Sequence, residues 1–105
     1  MIKSLFDKEN SIFMGAKRNH DDCSIGIFGV NYDGTCSFKP GARFGPEAIR
    51  QVSSCLETYC PKLDKDLQDV TYVDFGSIII DKNDSKSVIE KVKIATNYLI
   101  RKNIS

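Results

Sequence analysis

His20-Asp21-Asp22 is the first place in this 105-residue chain where residue types alone point to chemistry, because an imidazole beside two carboxylates is a donor set for a divalent cation. Neighbouring residues in an extended segment point in opposite directions, so these three seldom converge on one ion. The cluster reads better as a solvated turn ahead of a strand. Asp64-Lys65-Asp66 has the Asp-x-Asp form of a carboxylate pair, yet it lies in a polar connector with no neighbouring His, where a hydrated surface is the better reading. Asp33 and Arg43 belong to one long glycine-containing loop. A carboxylate at the carboxyl end of a strand lies where open α/β sheets place their ligands, so Asp33 is a candidate to line a pocket. The other reading is that Asp33 and Arg43 pair, or bond loop backbone groups, and so hold the loop in shape. That reading is favoured, because a long loop leaves many backbone groups in need of partners. Asp74 poses the same choice at a second strand, with capping of the turn at Gly76 preferred.

Other chemistry is excluded by spacing. Gly26-Ile27-Phe28-Gly29 with Gly34 is glycine-rich after a strand, but it is not G-x-G-x-x-G, and the helix begins sixteen residues after Gly29. No helix N-terminus is therefore presented to a pyrophosphate. A P-loop is absent, since no Gly-Lys-Ser/Thr occurs. The cysteines Cys23, Cys36, Cys55 and Cys60 are separated by 13, 19 and 5 positions, which matches no zinc pattern. Without a secretory signal, free thiols are the expected state.

The elements that must position these residues follow from pattern. Residues 1–22 mix charges with single apolar residues (Phe6, Ile12, Phe13, Met14) and read as an irregular arm docking through those side chains. Ser24 to Val30 is a short apolar run, expected to be a buried strand of the parallel-sheet type. The loop from Asn31 to Phe44 follows, longer than an ordinary strand-to-helix connection and of the length that usually forms a site wall. Gly45-Pro46-Glu47 starts a helix: proline suits the first helical position and Glu47 complements the positive end of the dipole. Ala48, Ile49, Val52, Leu56 and Tyr59 recur at helical spacing. They are expected to lie against the sheet, with the helix ending before Pro61. A second strand is expected from Val70 to Gly76, with Ser77 to Ile80 as a continuation or a separate piece. Asn83, Asp84 or Ser85 then offers an N-cap to a helix whose stripe is Val88, Val92, Ala95 and Leu99, reaching to about Lys102.

Strand, helix, strand, helix argues for α/β architecture with a parallel sheet. The expected division is one incomplete domain over residues 1–105: the arm 1–22, strand, loop and helix over 24–60, and strand and helix over 70–103. Two strands and two helices do not cover a parallel sheet on both faces, so the chain is expected to be the N-terminal part of a larger doubly wound domain. Fifteen basic residues against fourteen acidic ones leave a charge of +1 with the signs interspersed. That balance argues against nucleic-acid and membrane partners. No apolar run of signal-peptide type opens the chain, so a cytoplasmic protein is expected.

From Gly29 the chain reads Gly29-Val30-Asn31-Tyr32-Asp33-Gly34, and later Phe38-Lys39-Pro40-Gly41-Ala42-Arg43-Phe44-Gly45-Pro46-Glu47-Ala48-Ile49-Arg50. This order resembles the first signature segment of the agmatinase and arginase family of ureohydrolases. The likeness extends over about Phe13 to Ile79, through Leu56-Glu57-x-Tyr59 and Val73-Asp74-x-Gly76, and in its Asp33 and Arg43 to Arg50 residues it is nearest to agmatinases. One departure is Ser77, where agmatinases usually carry an acidic residue.

The resemblance implies a three-layer α/β/α arginase-type fold. It implies a hydrolase of linear guanidino compounds, agmatine to putrescine and urea first among them, working through a hydroxide bridged by two manganese ions. It also implies a small-molecule guanidino substrate and a homo-oligomer, trimer or hexamer. The family's His-bearing Gly-Gly-Asp/Glu-His and Asp-x-His-x-Asp segments are absent from these residues, so the metal ligands are expected beyond Ser105. No catalytic or metal-binding residue is then assigned within the chain, and Asp33 and Arg43 stand as candidates for lining the substrate pocket or ordering the loop. The alternatives are another ureohydrolase (arginase, guanidinobutyrase or formiminoglutamase) and a non-catalytic truncated homologue acting as an association module.

Overall fold

The computed structural model describes residues 5–7, 11–17, 23–34, 41–80 and 84–104. The expected turn at His20-Asp21-Asp22, the tip of the long loop with Cys36, and Asn83 lie outside them.

The sheet is built around β5 (Tyr72–Ile78), which β2 (Ile25–Val30) joins in parallel on one side and β1 (Phe6–Asp7) joins antiparallel on the other. β5 is buried along almost its whole length, as a strand covered on both faces should be. It starts two residues later than expected and runs through Ser77 to Ile78 as one strand. β2 is only half-buried, contrary to the expectation of a buried strand, because it is an edge of the described sheet. The sheet is thus mixed rather than purely parallel, through the short β1 contributed by the arm.

A bulge decides which side chains face which layer. Ile27 stands opposite Asp74 while Gly29 stands opposite Ser77, so β5 holds one residue more than β2 across that interval. Gly76 takes up the extra residue at φ 93°, a left-handed conformation that favours glycine. Strict alternation would send Asp74 and Ser77 to opposite faces. The bulge puts both on the face of Gly29.

α1 (Gly45–Ser53) covers that face and α2 (Ser85–Arg101) the other. α2 matches its sequence pattern: Asp84 caps it by accepting from the Ser87 N–H at 2.7 Å, and Val88, Ala95 and Leu99 are buried. It ends in a Schellman arrangement, with Asn103 at φ 57°, its N–H on Ile100 O at 3.0 Å and the Ile104 N–H on Leu99 O at 2.9 Å. The main core lies between α2 and the sheet. Phe6, Ile78 and Ala95 form its centre, with Phe28, Val30, Phe75 and Val92 packed around them, and the Phe6 ring lies 5.8 Å from that of Phe28.

α1 departs from expectation twice. It is shorter, ending at Ser53, because the hydroxyls of Ser53 and Ser54 capture the carbonyls of Arg50 and Gln51 at 2.7 and 3.2 Å and compete with continued helix. The chain then turns into a small hairpin, β3 (Tyr59–Cys60) with β4 (Lys65–Asp66). The second departure concerns the face. Ile49, Val52 and Leu56 are 58, 60 and 58% exposed, and Tyr59 lies outside the helix. The residues turned inward are Arg50 and Ser53, with Pro46 against the sheet.

The arm is a clamp rather than a loose strap. Ser11 donates to the Glu47 carboxylate from its hydroxyl (2.6 Å) and its N–H (3.1 Å), and the Met14 N–H reaches Ser53 Oγ at 2.9 Å. Lys17 bridges Val73 in parallel. The arm thus docks through the apolar side chain of Phe6, as expected, and also through backbone donors that the sequence did not indicate.

Two outcomes follow from this packing. A Cβ on Gly29 would stand 2.7 Å from Pro46 Cβ and 2.8 Å from Ser77 Oγ. Gly29→Ala should therefore cost about 1–3 kcal/mol in urea unfolding, and a loss under 0.5 kcal/mol would contradict the close approach. With Phe44, Ile49, Val52 and Leu56 all exposed, the 105-residue chain expressed alone should self-associate in light scattering at micromolar concentration. A monodisperse, cooperatively melting monomer would refute this.

Candidate functional site

The carboxyl ends of β2 and β5 lie side by side, and the residues after them form one corner. Beyond β2, the Tyr32 N–H returns to Val30 O at 3.0 Å, a three-residue turn that takes the chain out of the strand. Asp33 comes next. Its Oδ2 accepts the N–H of Gly41 at 2.7 Å and that of Arg43 at 3.4 Å, so one carboxylate ties the two ends of the loop together. Arg43 Nη1 stands 3.8 Å from Asp33 Oδ1. That guanidinium is mostly exposed while the Asp33 side chain is buried, and Arg43 Cζ lies 4.9 Å from the centre of the Phe44 ring. The two residues singled out in the sequence are therefore in contact, and both orient the turn that leads into α1.

Beneath this corner is a pair that sequence reasoning did not anticipate. Arg50 points from α1 into the bulge of β5. Its Nε donates to Asp74 Oδ2 at 2.8 Å and its Nη2 to Asp74 Oδ1 at 3.0 Å; Nη2 also meets Gly76 O at 2.8 Å, and Nη1 meets Ser77 Oγ at 2.9 Å. Asp74 in turn accepts the N–H groups of Phe13 and Gly76, each at 2.9 Å. Arg50 is 3% exposed and Asp74 0%. Asp74 caps the turn at Gly76, as the sequence suggested, but its larger contact is with Arg50. The available signal was Asp74, a carboxylate amid a strand of mostly apolar residues; Arg50 shares its helix with Glu47 and Gln51 and gave none.

Burial by itself pushes the Asp74 carboxyl up, yet Arg50 and the N–H groups of Gly76 and Phe13 outweigh it and hold the group below its ordinary value. The carboxylate is thus kept ionised and fully occupied.

Among the described residues no group of three or more His, Cys, Asp or Glu could hold a cation. Asp33 and Asp74 are spent on loop and guanidinium donors. The Asp-x-Asp at residues 64–66 is structural: Asp64, at φ 51°, accepts the Tyr59 hydroxyl, and Asp66 caps the 3-10 turn at residues 67–69. Cys23, Cys55 and Cys60 are free thiols, as expected. No helix among the described residues is long and apolar enough to cross a membrane.

Removing either partner of the buried pair strands the other charge, so Arg50→Met or Asp74→Leu should lose about 3–5 kcal/mol, whereas the double variant should recover much of that loss. Because the folded Asp74 carboxyl lies below its ordinary value of 3.8, the stabilisation is complete above that pH and disappears as pH falls through the lower folded value. Acid unfolding of Asp74→Asn should accordingly show a flatter limb below about pH 4. Equal limbs in the two proteins would rule this out.

The chain is similar to known proteins over most of its length. An agmatinase from Halalkalibacterium halodurans is 34% identical over 97 residues, which is 90% of this chain and 34% of that protein. An N(1)-aminopropylagmatine ureohydrolase from Thermococcus kodakarensis is 36% identical over 77 residues, 73% of this chain and 27% of that one. A crystal structure of a candidate agmatinase from Clostridium difficile superposes with a TM-score of 0.76 at 35% identity, over 82% of this chain and 31% of that one. The chain spans about a third of the length of its agmatinase relative. The arginase family matches residues 23–104, from just before β2 to the end of the α2 cap, and the chain belongs to that family.

Proposed function

We propose that these residues are the scaffold corner of an agmatinase-like ureohydrolase, which hydrolyses a linear guanidino compound to an amine and urea. The observation carrying this reading is the signature loop, whose Asp33 ties Gly41 and Arg43 together at the carboxyl ends of parallel strands, where open α/β sheets bind ligands. The agmatinase relative supports agmatine as the first substrate to test, and the aminopropylagmatine ureohydrolase relative supports a longer guanidino amine as the second. Two manganese ions are the proposed cofactor. Their ligands are not among the described residues, so the part taken by this corner is positional: Asp33 sets the loop, and Arg43 with Phe44 forms the outer wall of the pocket. A cytoplasmic homo-oligomer, trimer or hexamer, completes the proposal.

The test is urea release from agmatine by the full-length polypeptide in manganese, against an EDTA-treated control, with the 105-residue chain assayed alongside. The full-length protein should release urea and the shorter chain should not; urea from the latter would place ligands within it. In the full-length protein, Asp33→Ala should lower kcat/KM by about tenfold to a hundredfold through misplacement of the loop. Asp33→Asn, which keeps an acceptor for Gly41 and Arg43, should recover part of that loss. An Asp33→Ala enzyme with unchanged kinetics would remove Asp33 from the site.

A further inference from the structure

A cavity of about 710 Å³ opens at the other end of the strands, between the arm, the end of α1 and the segment leading into β5. Its size falls in the range that takes a small ligand, roughly 300–1,000 Å³. It is remote from the strand-end corner, since Tyr72 on its wall starts β5 and Ser77 lies near the far end, roughly 17 Å along an extended chain.

Two charges of opposite sign stand in the lining. Lys17 comes from the arm, where its backbone is fixed by the bridge to Val73, and Glu57 follows the end of α1. Both are exposed, and neither side chain forms an ion pair or hydrogen bond among the described residues. The negative end of α1, at Ser54 and Cys55, lies on the Glu57 side and adds to its preference for a cation. Ile12, Met14, Leu56 and Val70 supply apolar wall to the same cavity.

This arrangement selects by charge. A diamine or a guanidino amine would bring a second cation toward Lys17, and a simple carboxylate would meet Glu57. A molecule with one charge of each sign and methylene groups between matches both charges and the apolar wall. We propose that this cavity is a second, non-catalytic site for a small zwitterion, an amino acid or ω-amino acid whose carboxylate pairs with Lys17 and whose ammonium pairs with Glu57. The inference is independent of the ureohydrolase reading, because an ω-amino acid has no guanidino carbon to hydrolyse.

Isothermal titration of the purified protein with the ω-amino acids from glycine to 6-aminohexanoate tests it, with alkylamines and alkyl carboxylates of matching length as controls. Saturable binding with an optimum in chain length is expected, and the singly charged controls should bind more weakly by roughly fivefold, the scale of one partly exposed ion pair. Lys17→Met and Glu57→Gln, both at exposed side chains, should each weaken the zwitterion by a similar factor. Cys55 is an exposed free thiol on the cavity wall and gives a second readout: its alkylation by iodoacetamide should slow when the zwitterion is bound. Absence of saturable binding across the series, equal affinity for singly charged controls, or binding indifferent to both substitutions would each overturn the proposal.

Discussion

The guanidinium of Arg50, enclosed between α1 and β5, is the contact on which the rest of this chain depends. Taking a cation and a carboxylate out of water is expensive, and their mutual attraction compensates only when the remaining donors and acceptors find partners. Here three guanidinium nitrogens have partners on β5, and Asp74 accepts two backbone N–H groups besides. Each of those partners is supplied by a different local device. The bulge at Gly76 turns Asp74 and Ser77 to one face; Gly29 lets Pro46, and with it the start of α1, come close; the arm brings the Phe13 N–H across. Loss of any one would leave a buried charge short of a partner.

That requirement explains why α1 lies on the sheet through polar residues. The stripe of Ile49, Val52 and Leu56 has the spacing of a core face, yet burying Arg50 and Ser53 turns that stripe outward. Hydrophobic periodicity identifies an apolar face but does not say which face a helix turns to its own sheet. A buried guanidinium carries geometric demands that a set of methyl groups lacks, and those demands set the rotation of the helix.

The parts legible in the sequence are the parts governed by local rules. The stripe and N-cap of α2, the start of α1 at Pro46, the strand after Cys23 and the capping of Gly76 by Asp74 each depend on residues within a few positions of one another, and the structure has all of them. What escaped depends on distant partners. Arg50 and Asp74 are 24 positions apart, Ser11 and Glu47 are 36, and Phe13 and Asp74 are 61. The hairpin of β3 and β4 escaped for a different reason: each strand has only two residues, too few for alternation to show.

The signature segment from Gly29 to Arg50 gains a physical meaning from this. Its first residue admits Pro46, its Asp33 closes the loop on Gly41 and Arg43, and its last residue locks the helix into the bulge of the neighbouring strand. All three acts fix the relative position of two strand ends and the loop above them. None leaves a carboxylate free. Among the described residues, Asp33, Arg50 and Asp74 are all used for positioning, which suits this corner to hold the strand ends rigid, because binding a cation would need Asp33 or Asp74 to give up the donors that hold it in place.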